Sequence, residues 1–284
     1  MDSRPTTAHA HRRPRGARVG RIALVTGAAV VCALGITGAL DPSTQVAESA
    51  EIQTANFGVQ PGPLKASVKG VSQPAWAKGL PESTTQVLRT IRTDKWCAQI
   101  WCTRTEAWEK ADGSWHIVTR GSGKNTRPMI VRSQVGQSGF ASAASRHQGD
   151  MRTPSGVYGI ITTFSTTKER PTEMPWRRRL PTSVVSDAGG QSYNTWVEVK
   201  GNRSGDRRMM SWGLWIDWNN PRLTLGRGER PVPGKGSGIF MHTSNPGAPF
   251  VPTAGCLQIG SPADMAWIVR WLKPDTNPRI VNNK

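Results

Sequence analysis

A single stretch of this 284-residue chain reads as a helix. Ser261 offers an N-cap, Pro262 takes the first helical position and Asp264 adds an acid at the third. Met265, Ile268, Val269 and Leu272 then fall on one helical face, and Pro274 ends the run. From about Thr84 onward the other apolar residues come in short runs bounded by turn formers, and 30 glycines and 21 prolines supply the punctuation. Strands are predicted at residues 86–91, 128–135, 157–161, 196–199, 214–218 and 238–242. Residues 98–108 and 115–119 predict a hairpin turning at Ala111-Asp112-Gly113. Such patterning implies a mainly β, mainly antiparallel fold, a β-sandwich or half-barrel with one late C-terminal helix.

The N-terminus bears on the compartment. Arg12, Arg13, Arg15, Arg18 and Arg21 precede an uncharged apolar run over residues 22–40, the pattern of an export segment. It is either a signal cleaved near Thr37-Gly38-Ala39 or an uncleaved membrane anchor, since the run is just long enough to span a bilayer. A buried core helix is the competing interpretation, and the flanking arginines oppose it. Residues 41–82 carry scattered Pro, Gly and Ser with little periodicity and read as a flexible linker, leaving residues 83–284 as the folded domain. The expected location is therefore extracytoplasmic, with membrane contact through the N-terminal segment.

The net charge of +18 favours anionic partners, wall polymers among them, and Arg177-Arg178-Arg179 is a candidate patch; a solvated loop would look the same. The chain carries no recognisable nucleic-acid-binding motif. It also lacks CxxC, HxxxH or a histidine cluster, so no metal site is expected.

Of four cysteines, Cys32 lies in the export segment, and the spacing of Cys97 and Cys102 permits a disulfide in an oxidising compartment. Cys256 is left over. It is either a buried inert thiol or a nucleophile. Its surroundings favour the second. An apolar run, Ile239-Phe240-Met241, delivers His242, and a Pro/Gly-rich loop returns to Thr253-Ala254-Gly255-Cys256. Thiol acyl transfer needs a base to deprotonate the sulfur and backbone donors to hold an oxyanion, and this segment supplies an imidazole, a glycine and a thiol together. A structural histidine at a strand end is the alternative for His242. The close His-then-Cys order matches neither papain-like and NlpC/P60-like enzymes, which place Cys first, nor sortases, whose His lies far upstream.

These elements resemble the L,D-transpeptidase catalytic domain of the YkuD type, whose signature is a His followed after a loop by Ser/Thr-x-Gly-Cys. Here they are His242 and Thr253-Ala254-Gly255-Cys256. The stretch Asp150-Met151-Arg152-Thr153-Pro154-Ser155-Gly156-Val157-Tyr158 resembles a second family element, with further echoes in Ser192-Tyr193-Asn194 and Gly236-Ser237-Gly238. The similarity is to the secreted actinobacterial branch. Ala254 stands where many members carry His, and Gln258 where many carry Arg.

The resemblance implies a β-sandwich enzyme that acts on peptidoglycan stem peptides without a cofactor. Cys256 would be the nucleophile and His242 its base, with the N–H groups of Gly255 and Cys256 as oxyanion donors. Thr253, Ser244 and Tyr158 would contact substrate, and Ser244 and Thr243 are candidates for orienting His242. A thioester on Cys256 would pass to a second amine in a transpeptidase, or to water in an L,D-carboxypeptidase. A non-catalytic wall-binding module is the remaining alternative, and it would need no such thiol.

Overall fold

The computed structural model describes residues 70–202, 210–221, 223, 230–244 and 251–283. The predicted export segment, the linker up to residue 69 and residues 245–250 of the loop joining His242 to Cys256 lie outside the described residues. The strands used below are β1 (Gln86–Arg92), β2 (Cys102–Ala111), β3 (Ser114–Ile117), β4 (Ile130–Gln134), β5 (Gly156–Tyr158), β6 (Ile160–Ser165), β7 (Trp176–Arg178), β8 (Ser183–Ser186), β9 (Thr195–Glu198), β10 (Trp212–Ile216), β11 (Phe240–Thr243), β12 (Leu257–Ile259) and β13 (Arg279–Asn283). Helix α1 spans Pro262–Trp271.

Eleven strands form one continuous sheet in the order β7-β6-β10-β11-β12-β4-β2-β1-β13-β5, with β3 hydrogen-bonded to β2. Strands β8 and β9 form a separate antiparallel pair. The sheet curls back on itself. Strand β5 is at one end of the order and β6 is next to the other, yet one residue, Gly159, separates them in sequence. A residue spans at most about 3.6 Å, so the two ends must meet. The run predicted as one strand over residues 157–161 therefore breaks in two. Tyr158 pairs with Ile280 of β13 and Ile160 with Ile216 of β10, and the Gly159 N–H donates to Asp217 Oδ1 at 2.8 Å.

The hairpin forms as predicted, β2 turning into β3 through Asp112 and Gly113 at φ 50° and 73°. Glycine, and less often Asp, tolerates these angles. Helix α1 begins as its sequence dictates, Ser261 Oγ accepting the Asp264 N–H at 3.3 Å. Its buried side chains, Met265, Ile268 and Val269, close the main core over Leu214, Ile216, Met241 and Leu257.

Residues 70–82, which the sequence assigned to the linker, pack on the body. Val71 bridges to Trp115, and the Trp76 ring lies 5.2 Å from both Trp108 and Trp115. Cys97 and Cys102 are disulfide-bonded, with their Cα atoms 5.8 Å apart. Among the described helices none is long and apolar enough to cross a membrane.

Candidate active site

His242 lies on β11 and Cys256 directly precedes β12. The two strands run parallel, with Met241 opposite Leu257 and His242 opposite Gln258. Strand side chains alternate between faces. Ile239, Met241, Leu257 and Ile259 enter the main core, whereas Phe240 and Cys256 join a second cluster with Phe164 and Trp215. His242 and Cys256 thus share the face away from the main core, about one pleat apart. Both line the same cavity, of about 180 Å³. His242 is 1% exposed and Cys256 4%.

The sulfur is not disulfide-bonded, and its thiol donates to the Gly238 carbonyl at 3.6 Å. His242 Nδ1 lies 2.8 Å from the Thr243 carbonyl. A carbonyl can only accept, so Nδ1 carries the proton and, in the neutral ring, Nε2 is the basic nitrogen. The backbone, rather than the Thr243 or Ser244 hydroxyl, fixes the tautomer. The Ser244 hydroxyl instead donates to the Gly260 carbonyl at 2.7 Å.

Gly255 is required by its conformation. Its φ is +140°, and a Cβ there would lie 2.8 Å from the Arg152 carbonyl oxygen and 3.1 Å from Arg146 Nη2. Two threonines lock this turn. Thr153 Oγ1 donates to the Gly255 carbonyl at 2.8 Å and accepts the Gly136 N–H at 2.9 Å. Thr253 Oγ1 accepts the Gly255 N–H at 3.1 Å and donates to the Cys256 carbonyl at 2.6 Å. The Gly255 N–H, expected to be an oxyanion donor, is thereby engaged by Thr253 in this state.

The two accessory sequence elements form braces around the cavity. In the first, Asp150 accepts the N–H groups of His147 and Arg152 and pairs with Arg146 at 2.7 Å, which carries Met151 at φ 59° into the wall. In the second, the Tyr193 hydroxyl accepts the Gly236 N–H at 3.1 Å, and Asn194 Oδ1 accepts the Gly238 N–H at 2.9 Å. Asn194 therefore holds Gly238, whose carbonyl, in the next peptide, receives the thiol. The β8–β9 pair adds Val184, Val185 and Trp196 as an apolar wall.

The family model for the L,D-transpeptidase catalytic domain, YkuD, matches residues 118–281. The chain belongs to this family. No curated protein matches the sequence. Strands β1 to β3 precede the matched span, yet β1 and β2 sit inside the sheet, between β13 and β4, so they are integral to the L,D-transpeptidase domain.

Within this L,D-transpeptidase domain, His242 and Cys256 line one cavity. Thr253, Ser244 and Tyr158 do not line their cavity. Thr253 shapes the turn. The Tyr158 hydroxyl donates to the Ser155 carbonyl at 2.8 Å, and burial followed by the negative charge of Asp217 pushes its pKa up, keeping it a neutral donor. The arginine triplet divides: Arg177 and Arg178 are exposed, whereas Arg179 is buried and lines the cavity. Gln258, where many members carry Arg, is buried against Gln134 Nε2. Sequence reasoning missed Arg146, Asp150 and Thr153 as site residues, although two of them lay inside the stretch it had flagged.

Proposed function

We propose that this chain is an exported peptidoglycan L,D-transpeptidase that works through a thioester on Cys256. The observation that carries the proposal is the placement of His242 and Cys256 in one cavity, on adjacent parallel strands, with a glycine turn directly before the sulfur.

His242 Nε2 takes the thiol proton. The thiolate attacks the carbonyl carbon of the third stem residue, a diamino acid, and the Cys256 N–H supports the oxyanion; the Gly255 N–H joins only by exchanging its Thr253 partner. The carbon–nitrogen bond to the D-alanine breaks, and the departing amine takes the proton from the imidazolium. A second stem amine then attacks the thioester, restoring the thiol and leaving a cross-link. The apolar wall of Trp196, Val184 and Val185 favours amine transfer over hydrolysis by limiting water around the thioester. The Cys97–Cys102 disulfide supports an oxidising, extracytoplasmic setting, as does the arginine-flanked apolar run at the N-terminus.

The test is incubation with stem tetrapeptide donor and product analysis by mass spectrometry. Cross-linked dimers that disappear in Cys256→Ala are expected. Trimmed monomers without dimers would make the enzyme a carboxypeptidase, and an unchanged donor would refute acyl transfer on this substrate.

A further inference from the structure

The cavity holds a buried cation that the proton transfers above do not use. Arg146 and Asp150 form an ion pair at 2.7 Å, with side-chain exposures of 3% and 5%. The pair is polarised. Arg146 lines the cavity, whereas Asp150 lies behind it, outside the lining. The guanidinium sits against two glycines: a Cβ on Gly255 would lie 3.1 Å from Nη2, and one on Gly236 3.3 Å from it. Gly255 immediately precedes Cys256, and a side chain at either glycine would press on the guanidinium.

Burying an ion pair stabilises a fold weakly, because desolvation offsets most of the attraction. A buried pair with its positive end turned to a cavity is better explained by charge that arises there. We propose that Arg146, anchored from behind by Asp150, is the cation that stabilises negative charge on Cys256. This deepens the function proposed above and rests on Cys256 being its nucleophile. Arg146 does not touch the transferred proton; it is a positioning residue acting by charge. The other ionisable groups facing the cavity are His242 on β11, Arg179 after β7 and Asp187 after β8. Arg146 is singled out because it is the one packed against Gly255. A guanidinium keeps its charge throughout the working pH range, so this support persists where the imidazole has lost its proton.

The experiment measures iodoacetamide alkylation of Cys256 against pH in the full chain, read by peptide mass so that Cys32 does not interfere. Arg146→Gln combined with Asp150→Asn removes both charges without leaving a buried carboxylate. Its alkylation near pH 7 should slow about tenfold, one unit of thiol titration, while the limiting rate at high pH is unchanged. Arg146→Lys should restore most of the loss. A folded double variant with the wild-type profile would overturn the proposal. Should the double variant fail to fold by circular dichroism, His242→Ala decides. There the imidazole is gone and Arg146 remains, so the alkylation midpoint must stay below the ordinary thiol value of about 8.5. A midpoint at or above that value overturns the proposal equally. Alkylation reports charge on the sulfur and needs no peptide substrate, so it can fail while cross-linking succeeds, or succeed while cross-linking fails.

Discussion

Two buried charged clusters, in different parts of the molecule, show how differently this fold uses charge. On β2, Glu106 is enclosed by its own strand neighbours: Arg104 Nε at 2.7 Å, Trp108 Nε1 at 2.9 Å and, from β1, Arg89 Nη1 at 3.3 Å. It is satisfied from several sides, and none of the four residues lines the cavity. At the Cys256 end, Arg146 pairs with Asp150, donates from Nη1 to the His147 carbonyl, and lines the cavity. The carboxylates are similarly buried, but Arg89 and Arg104 keep 21% and 32% exposure where Arg146 keeps 3%, and Arg146 rather than they lines the cavity. A charge closed off by its neighbours serves the fold, and a charge open to a cavity can serve chemistry.

Four substitutions sharpen or break this contrast. Cys256→Ala should abolish acyl transfer, a loss of several orders of magnitude, with an unfolding curve close to wild type. A large drop in stability would mean the thiol is a packing residue. Gly255→Ala comes next. It forces a Cβ to 2.8 Å from the Arg152 carbonyl oxygen at φ +140° and shifts the adjoining Cys256. Displacements of that kind cost about 10²-fold in rate, so cross-linking should fall by about that factor while far-ultraviolet circular dichroism is retained.

Glu106→Ala should do the reverse. It removes the carboxylate shared by Arg89 and Arg104, whose side chains keep 21% and 32% exposure, and should cost about 3 kcal/mol in urea denaturation. The folded protein should still alkylate at the wild-type rate. Slower alkylation in the folded state would erase the distinction between the clusters. Thr153→Val is expected to have the smallest effect, leaving the Gly136 N–H and Gly255 carbonyl without their hydroxyl partner for about 2 kcal/mol of stability. Cross-linking should slow by about tenfold or less.

The elements legible in the sequence were those set by local chemistry. Ser261 and Pro262 open α1, and Asp112-Gly113 turn the β2–β3 hairpin. The His242 and Gly255-Cys256 pairing was also visible, because both ends of the strand pair lie in one short segment. What stayed hidden depends on contacts distant in sequence. The break at Gly159 follows from the curl of the whole sheet, which no pattern within residues 157–161 reveals. Parallel pairing of β11 with β12 was likewise hidden, since an apolar run reads the same in either direction. Arg146 lies 109 positions before Gly255, and only the fold brings them together. Thr153 was read as part of a turn motif, and its role as a bolt on the Gly255 carbonyl emerges from that same long-range approach. Residues 70–82 read as linker because glycine and proline dominate the text around a lone Trp76, whose partners Trp108 and Trp115 sit on another hairpin.

The most direct test is intact-mass analysis after incubation with a carbapenem, an acylating β-lactam that needs an activated nucleophile but no second peptide. If Cys256 is the activated nucleophile proposed above, the wild-type chain should gain the mass of one opened drug molecule, mapped to the Cys256 peptide, and Cys256→Ala should gain nothing. A wild-type chain that takes up no drug and whose Cys256 also resists iodoacetamide, or an adduct that persists in Cys256→Ala, would contradict the account.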